Sequence, residues 1–355
     1  MIYREAGQFK TTYADDASML PLREDRWFIW GLLAVAFIGV PLLANDYWIG
    51  AILTPFLIYS LASIGLNIIT GVAGQLNLGA AAFMAVGAFS AYNFQLRIPE
   101  LPLIINFLFS GFIAAGVGVI FGLPSLRIKG LYLAVTSLAA QFLFEWLFTN
   151  VEWFYNYVSS GSVTPAPMDV FGIAIDTPIS KYLLTLSIVA VLTLVARNLL
   201  RSRIGRQWRA IHDMEVSAEV IGIKMAQTKL LAFAVSSFFL GVAGALYGFT
   251  YLGSIEAAAF DLHQSFIILF MIIIGGMGSL VGSFIGAAFI LLFPIFMSQV
   301  MHATLSGVVD QGMLGNLELL IFGALIIFFL IVEPAGLARL WQVVKNKLRM
   351  WPFPH

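Results

Sequence analysis

The sequence of 355 residues contains no cysteine and few charged residues, and both shortages exclude certain classes of protein. Without cysteine there is no disulfide framework and no thiolate metal site. Only 11% of the residues are charged, whereas a soluble domain carries about 25%. Because such a chain cannot cover its surface with charge, lipid must form part of its surroundings. The formal net charge is zero, so nothing indicates a nucleic acid partner.

The motifs of common catalytic and nucleotide sites are also missing. The four histidines are scattered, without the spacing of metal ligands. No Gly-x-x-x-x-Gly-Lys-Ser/Thr phosphate loop occurs, so the chain does not hold ATP in that way. There is no acidic metal pair and no Ser/His/Asp set. We therefore expect a protein that is not an enzyme and that has no metal or cofactor of its own.

Apolar runs long enough to cross a membrane fill most of the chain, which is 60% hydrophobic. Since one membrane span needs about 20 such residues, hydropathy predicts an all-α integral membrane protein with about ten transmembrane helices. In the stretch Gly275–Gly286, glycines indicate either a broken helix or the junction of two spans. The predicted spans are 27–44, 48–70, 76–96, 101–123, 131–149, 181–200, 229–250, 264–284, 285–301 and 317–333.

The positions of lysine and arginine predict the orientation of these spans. With the N-terminus inside, the inner segments hold 17 of the 19 basic residues, and only Arg97 and Lys181 lie outside. We therefore predict that both termini are cytoplasmic. The predicted regions are a cytoplasmic N-terminal segment (1–26), a transmembrane domain (27–338) with an outer loop (150–180) and a cytoplasmic loop (201–228), and a basic cytoplasmic tail (339–355).

The cytoplasmic loop contains the pattern of a short amphipathic helix. Asp213 can cap its N-terminus, Glu215 suits the helix dipole there, and Gly222 can end the helix. Glu215 and Glu219 lie one turn apart on one side. Such a helix either docks into a groove of a soluble partner or lies on the lipid surface. A second side of the helix is apolar, because spacings of three and four residues bring together Ile211, Met214, Ala218 and Ile221.

Amide side chains and glycines cluster at membrane depth around the end of the second predicted span. Amides at that depth are costly unless they face protein or water. They therefore either join helices or line a translocation pathway, and we take the pathway as the hypothesis. The residues assigned to it are Asn67, Gly71, Gly74, Gln75, Asn77 and Gly79. A weakly similar segment, Gly275-Gly-Met-Gly278, supplies the candidate gating glycines Gly275, Gly276 and Gly278.

Several segments, in order along the chain, resemble the branched-chain amino-acid permeases of bacterial ABC importers (LivM type). They are Gly65–Phe83, Gly205–Lys224, Thr228–Tyr247, Gly275–Gly286 and Glu333–Leu337. The resemblance implies an ABC importer permease fold with broken, glycine-rich helices in the bacterial inner membrane. It also implies that the cytoplasmic loop is the coupling helix that touches the ATPase subunit. The residues given this coupling role are Asp213, Met214, Glu215, Ala218, Glu219, Ile221 and Gly222.

The same resemblance implies partners and a mode of action. The chain would form half of a translocation pathway, together with a second permease subunit, two ATPase subunits that bind the ATP, and a periplasmic solute-binding protein. Branched-chain amino acids come first as solutes, with urea, short amides and aromatic acids as alternatives. A self-contained secondary carrier is the runner-up, but Glu145 is its only acid deep inside a predicted span.

Overall fold

The computed structural model describes residues 23–126, 131–158, 160–170, 172–305 and 336–350, with isolated positions between 320 and 331. Almost all of this part is helical. The predicted N-terminal segment and the tenth predicted span fall mainly outside these residues. The α-helices are α1 (Arg23–Ala34), α2 (Val40–Leu43), α3 (Thr54–Asn67), α4 (Ala80–Arg97), α5 (Leu103–Gly122), α6 (Leu131–Asn150), α7 (Pro178–Arg201), α8 (Arg203–Asp213), α9 (Glu215–Val220), α10 (Met225–Leu246), α11 (Leu262–Gly275), α12 (Leu280–Leu305) and α13 (Leu337–Met350).

Shorter elements extend or connect these helices. Two strands, β1 (Asp169–Val170) and β2 (Ile173–Ala174), pair antiparallel in the predicted outer loop. Two 3₁₀ turns cover Leu123–Leu126 and Ala257–Phe260. Turns of π-helix, which are often found at functional sites, cover Val35–Gly39, Trp48–Leu53, Ile68–Val72 and Tyr247–Leu252.

The all-α membrane class is confirmed, but the count of ten spans is not. In the described part, seven helical segments are long and apolar enough to cross a membrane, and Trp27–Leu43 is a shorter apolar helix. The seven segments are Trp48–Val72, Leu103–Gly122, Tyr132–Asn150, Pro178–Arg201, Met225–Leu252, Ala257–Gly275 and Leu280–Val300.

Helix α4 occupies the third predicted span, yet it is not one of the seven. Its polar residues Ser90, Asn93 and Gln95 lower its hydropathy. It packs against α5, α6, α10 and α11, and most of its residues are buried. A helix enclosed by protein needs no lipid-facing surface, so its sequence is less apolar than that of its neighbours.

Helix α10 is central and packs closely against α3, α4 and α5. Glycines make the close approach possible. A Cβ atom on Gly87 of α4 would overlap the backbone of Gly241 in α10, and one on Gly244 would overlap the backbone of Met84. Small residues at such crossings let transmembrane helices gain packing contacts between their backbones.

The eighth and ninth predicted spans are divided at a different place from the predicted one. Helix α11 ends at Gly275 and α12 begins at Leu280. Between them lies the segment Gly276–Ser279, called here the glycine turn, in which Gly276 has φ 114° and Gly278 has φ 80°. Glycine adopts such angles without a steric cost, so the chain can reverse there. Hydropathy places the division too late because the sequence stays apolar across the turn.

The described contacts between loops fall into two groups. Among segments predicted outside, Val163 forms a β-bridge with Ile255, and the Arg97 guanidinium lies 3.5 Å from the ring centroid of Trp153.

Among segments on the opposite side, Gly74 lies against His212, and Gly336 lies against Gly276. No described contact of either group joins a predicted inner loop to a predicted outer one.

Candidate coupling and gating site

Helix α8 is held firmly against the membrane domain. Its N-terminus is capped by Ser202, whose Oγ accepts a hydrogen bond from the Ile204 N–H at 3.2 Å. The fully buried Trp208 donates from Nε1 to the carbonyl of Thr228 at 3.0 Å. Gly205 packs against the end of α7 at Leu200. The predicted cytoplasmic loop is therefore a structured extension of α7 and α10.

Helix α9 follows α8 after a single extended residue, Met214. The predicted cap at Asp213 is wrong, because α8 continues through Asp213 and α9 begins at Glu215. The predicted end is in place. Gly222 adopts φ 88°, and the Ile223 N–H bonds to the carbonyl of Ala218 at 3.0 Å, which closes the helix in the manner of a Schellman motif.

The side of α9 that faces away from the protein differs from the predicted one. Ala218 is only 1% exposed and packs inward, so it cannot insert into a partner. Val216 and Val220 are 71% and 82% exposed and lie on the outward side. Met214 and Ile221, at the two ends of the helix, are also exposed. The α9 apolar surface therefore consists of Met214, Val216, Val220 and Ile221.

The two acids of α9 have different surroundings. The Glu215 carboxylate pairs with the Lys229 ammonium at 2.6 Å, where the Lys229 side chain is 6% exposed and that of Glu215 is 29% exposed. This ion pair ties α9 to the start of α10, so Glu215 does not stand at an exposed rim. Glu219 is exposed, and it lines an open pocket of about 550 Å³ together with Lys224 and Glu215.

Asn67 joins α3 to the glycine turn and to α12. Its Oδ1 accepts from the Gly278 N–H at 2.7 Å. Its Nδ2 donates to the Ser279 carbonyl and to the Ser283 Oγ, both at 2.9 Å. A Cβ atom on Gly278 would lie 3.3 Å from the Gly71 carbonyl oxygen, so the two backbones touch. The two similar glycine motifs in the sequence thus meet in space.

The C-terminal segment completes this joint. Gly336 has φ 73°, and a Cβ atom placed on it would lie 2.5 Å from the Cα atom of Gly276. Gly275 in turn packs against the backbone of Gly282 in α12. Gly275 and Gly276 are therefore buried where α11, α12 and the start of α13 meet, whereas Gly278 is exposed beside Gly71.

The first turn of α4 is capped by side chains from other helices, which the sequence did not indicate. The Ala81 N–H donates to Ser265 Oγ at 2.9 Å, and the Ala82 N–H donates to Gln141 Oε1 at 2.8 Å. The Gly79 N–H donates to Asn77 Oδ1 at 2.9 Å. These side chains satisfy backbone N–H groups at the start of α4, which have no partner within the helix and lie inside the protein.

The predicted pathway amides are interior residues of this chain. Asn67, Gln75 and Asn77 are all buried. Asn67 is fully bonded, as a residue that joins helices would be. Neither amide atom of Gln75, nor Nδ2 of Asn77, has a hydrogen-bond partner within the described residues. Glu145 is partly buried and lies five residues before the end of α6 at Asn150.

The fold and the loop together define a multi-pass helical membrane protein with a structured helix pair between α7 and α10. A sequence profile described as "branched-chain amino acid transport system / permease component" matches residues 48–330. The chain belongs to this family.

Named relatives agree with the match. The chain is 26% identical over 341 residues to the "high-affinity branched-chain amino acid transport system permease protein LivM" of Salmonella typhimurium, covering 88% of this chain and 75% of the relative. The Escherichia coli protein of that name is 27% identical over 310 residues, covering 81% and 69%. A "probable branched-chain amino acid transport permease protein LivM" of Methanocaldococcus jannaschii is 24% identical over 327 residues, covering 81% and 92%. No solved structure matches the chain.

Proposed function

We propose that this chain is one permease subunit of an ATP-driven importer of branched-chain amino acids in the bacterial inner membrane. It forms half of the translocation pathway beside a second permease subunit. Two ATPase subunits bind ATP on the cytoplasmic side, and a periplasmic binding protein delivers the solute. Both termini lie in the cytoplasm, as the placement of 17 of the 19 basic residues supports.

The α9 apolar surface carries the proposal. Val216 and Val220 are exposed on a short helix in the cytoplasmic loop. The Glu215–Lys229 ion pair fixes this helix to α10, and the buried Trp208 fixes the adjoining helix α8. An apolar surface held in this way fits a groove on a soluble partner, and it can pass the partner's movement on to the helices.

The mechanism follows from linkage between two states. Closure of the ATPase pair around ATP displaces α9, and the membrane helices respond by exchanging outward-open and inward-open arrangements. The solute is selected largely by the binding protein, so urea, short amides and aromatic acids stay as alternatives that a binding measurement on that protein would separate. A secondary carrier is not favoured, because Glu145 lies close to a helix end.

Substitution of Val220 by aspartate tests the docking surface. Burial of a valine side chain contributes about 1.5–3 kcal/mol, so its loss should weaken binding of the ATPase subunit about 10- to 100-fold. The measurement is the amount of ATPase subunit that co-purifies with the permease pair. Glu219→Gln is the control on the same helix, because an exposed ion pair contributes only about 0.2–1 kcal/mol. Undiminished co-purification of the Val220→Asp variant would show that α9 does not dock there.

A further inference from the structure

His212, in the last turn of α8, lies directly against Gly74. A Cβ atom added to Gly74 would be 2.6 Å from Cδ2 of the His212 ring, 3.0 Å from Cγ and 3.3 Å from Cβ. Rotation of the ring would not clear the last of these contacts. Gly74 also has φ 69°, an angle at which a side chain is strained. Both the space and the backbone therefore restrict this position to glycine.

On the cytoplasmic side, His212 belongs to the same unit as the docking surface. The Met214 N–H bonds to the carbonyl of Ala210 at 3.1 Å, so α9 begins on the last turn of α8. Trp208 fixes that turn to α10 through its bond to Thr228. The Met214 bond and a single residue of chain thus join α9 directly to the turn that holds His212.

On the membrane side, Gly74 ends the helical line that contains Asn67. The Ala73 N–H bonds to the carbonyl of Ile68 at 3.1 Å, and the Gln75 N–H bonds to that of Ile69 at 2.9 Å. These bonds close the π-helical turn Ile68–Val72 onto Gly74. Seven residues before Gly74, Asn67 holds the glycine turn. A push on Gly74 is thus applied to the joint between α3, the glycine turn and α12.

We propose that His212 is a positioning residue, whose contact with Gly74 transmits the movement of α9 to this joint. The proposal rests on the proposed function and names the path that coupling takes. Because the contact is one of packing between a ring and a backbone, it resists approach but not separation. Closure of the ATPase subunits acts on the glycine joint by pushing, and reopening relies on the joint's own recoil.

Two variants test the contact in the assembled transporter. His212→Ala removes the ring from an exposed position, so the fold should persist. We expect at least a tenfold loss of ATP-driven uptake, while the ATPase subunit still co-purifies as in the wild type. Gly74→Ala should cause a similar loss. Gly253→Ala is the matched control, since Gly253 has φ 70° with nothing within 4 Å of an added Cβ.

The double variant separates transmission from simple damage. If the two residues act through one contact, the uptake of His212→Ala/Gly74→Ala should exceed the product of the two single effects. Full uptake by His212→Ala, or independent effects in the double variant, would overturn the inference. Failure of the wild-type chain to bind any ATPase subunit would instead refute the proposed function. The two failures are therefore distinct.

Discussion

Replacement of Asn67 by leucine removes three hydrogen bonds that join α3 to the glycine turn and α12. Hydrogen bonds between transmembrane helices contribute about 0.6 kcal/mol each on average and about 1.7 kcal/mol at most. The expected loss of stability is therefore about 2–5 kcal/mol. Leucine also leaves the Gly278 N–H without its side-chain acceptor.

Asn106 offers the matched control. It is as buried as Asn67, but its side chain donates a single hydrogen bond, from Nδ2 to the Ala91 carbonyl at 3.0 Å. Its Oδ1 has no partner within the described residues. Leucine there removes one bond and also one unsatisfied acceptor. We therefore expect Asn106→Leu to cost less than about 1 kcal/mol.

The assay is thermal unfolding of the purified permease in detergent, followed by the fraction of monodisperse protein that survives heating. Asn67→Asp should be no more stable than Asn67→Leu, because it buries an unpaired carboxylate with one oxygen facing the Ser279 carbonyl. Equal thermal stability of Asn67→Leu and Asn106→Leu would refute the reasoning, because the joint would then contribute no more than an ordinary side chain.

Three further predictions concern topology, packing and the ion pair. A cysteine at Ser217, the sole thiol in this chain, should react with an impermeant reagent only after the membrane is opened; labelling of intact cells contradicts the orientation. Gly87→Ala should lower stability by about 1–3 kcal/mol, because the added methyl group overpacks the crossing of α4 and α10. The control Gly116→Ala, where nothing lies within 4 Å of an added Cβ, should raise stability by about 0.5–1 kcal/mol. Equal melting temperatures of the two variants would exclude the close crossing of α4 and α10. Glu215→Gln should cost about 1–3 kcal/mol, less than a fully buried pair because the Glu215 side chain is 29% exposed; an unchanged melt would mean that Lys229 needs no partner.

Hydropathy predicted the helices well where their surfaces face lipid. Spans such as α5 and α7 fall within a few residues of their predicted bounds. The predicted helix bounds are wrong where a helix end contacts other helices instead of lipid. The division between α11 and α12 depends on Gly278 meeting Gly71, which are distant in sequence. Local hydropathy carries no information about such a contact.

The candidate site shows the same limit. The end of α9 at Gly222 was predictable, because a local rule governs it. Its outward side was not, because burial of Ala218 depends on how α9 packs beside α8. Likewise, Ser265 and Gln141 cap α4 from other helices. No spacing along the chain relates them to Ala81 or Ala82.

The joint at Asn67 also sets an order for the biogenesis of the protein. The amide belongs to α3, near the start of the chain, while its partner Gly278 follows 211 residues later. Until α11 and α12 leave the translocon, the amide has to be satisfied by water, by lipid headgroups or by an insertase. Synthesis of the C-terminal half supplies its partners in the folded protein. A chain truncated before the glycine turn therefore lacks the partners that this amide has in the full chain.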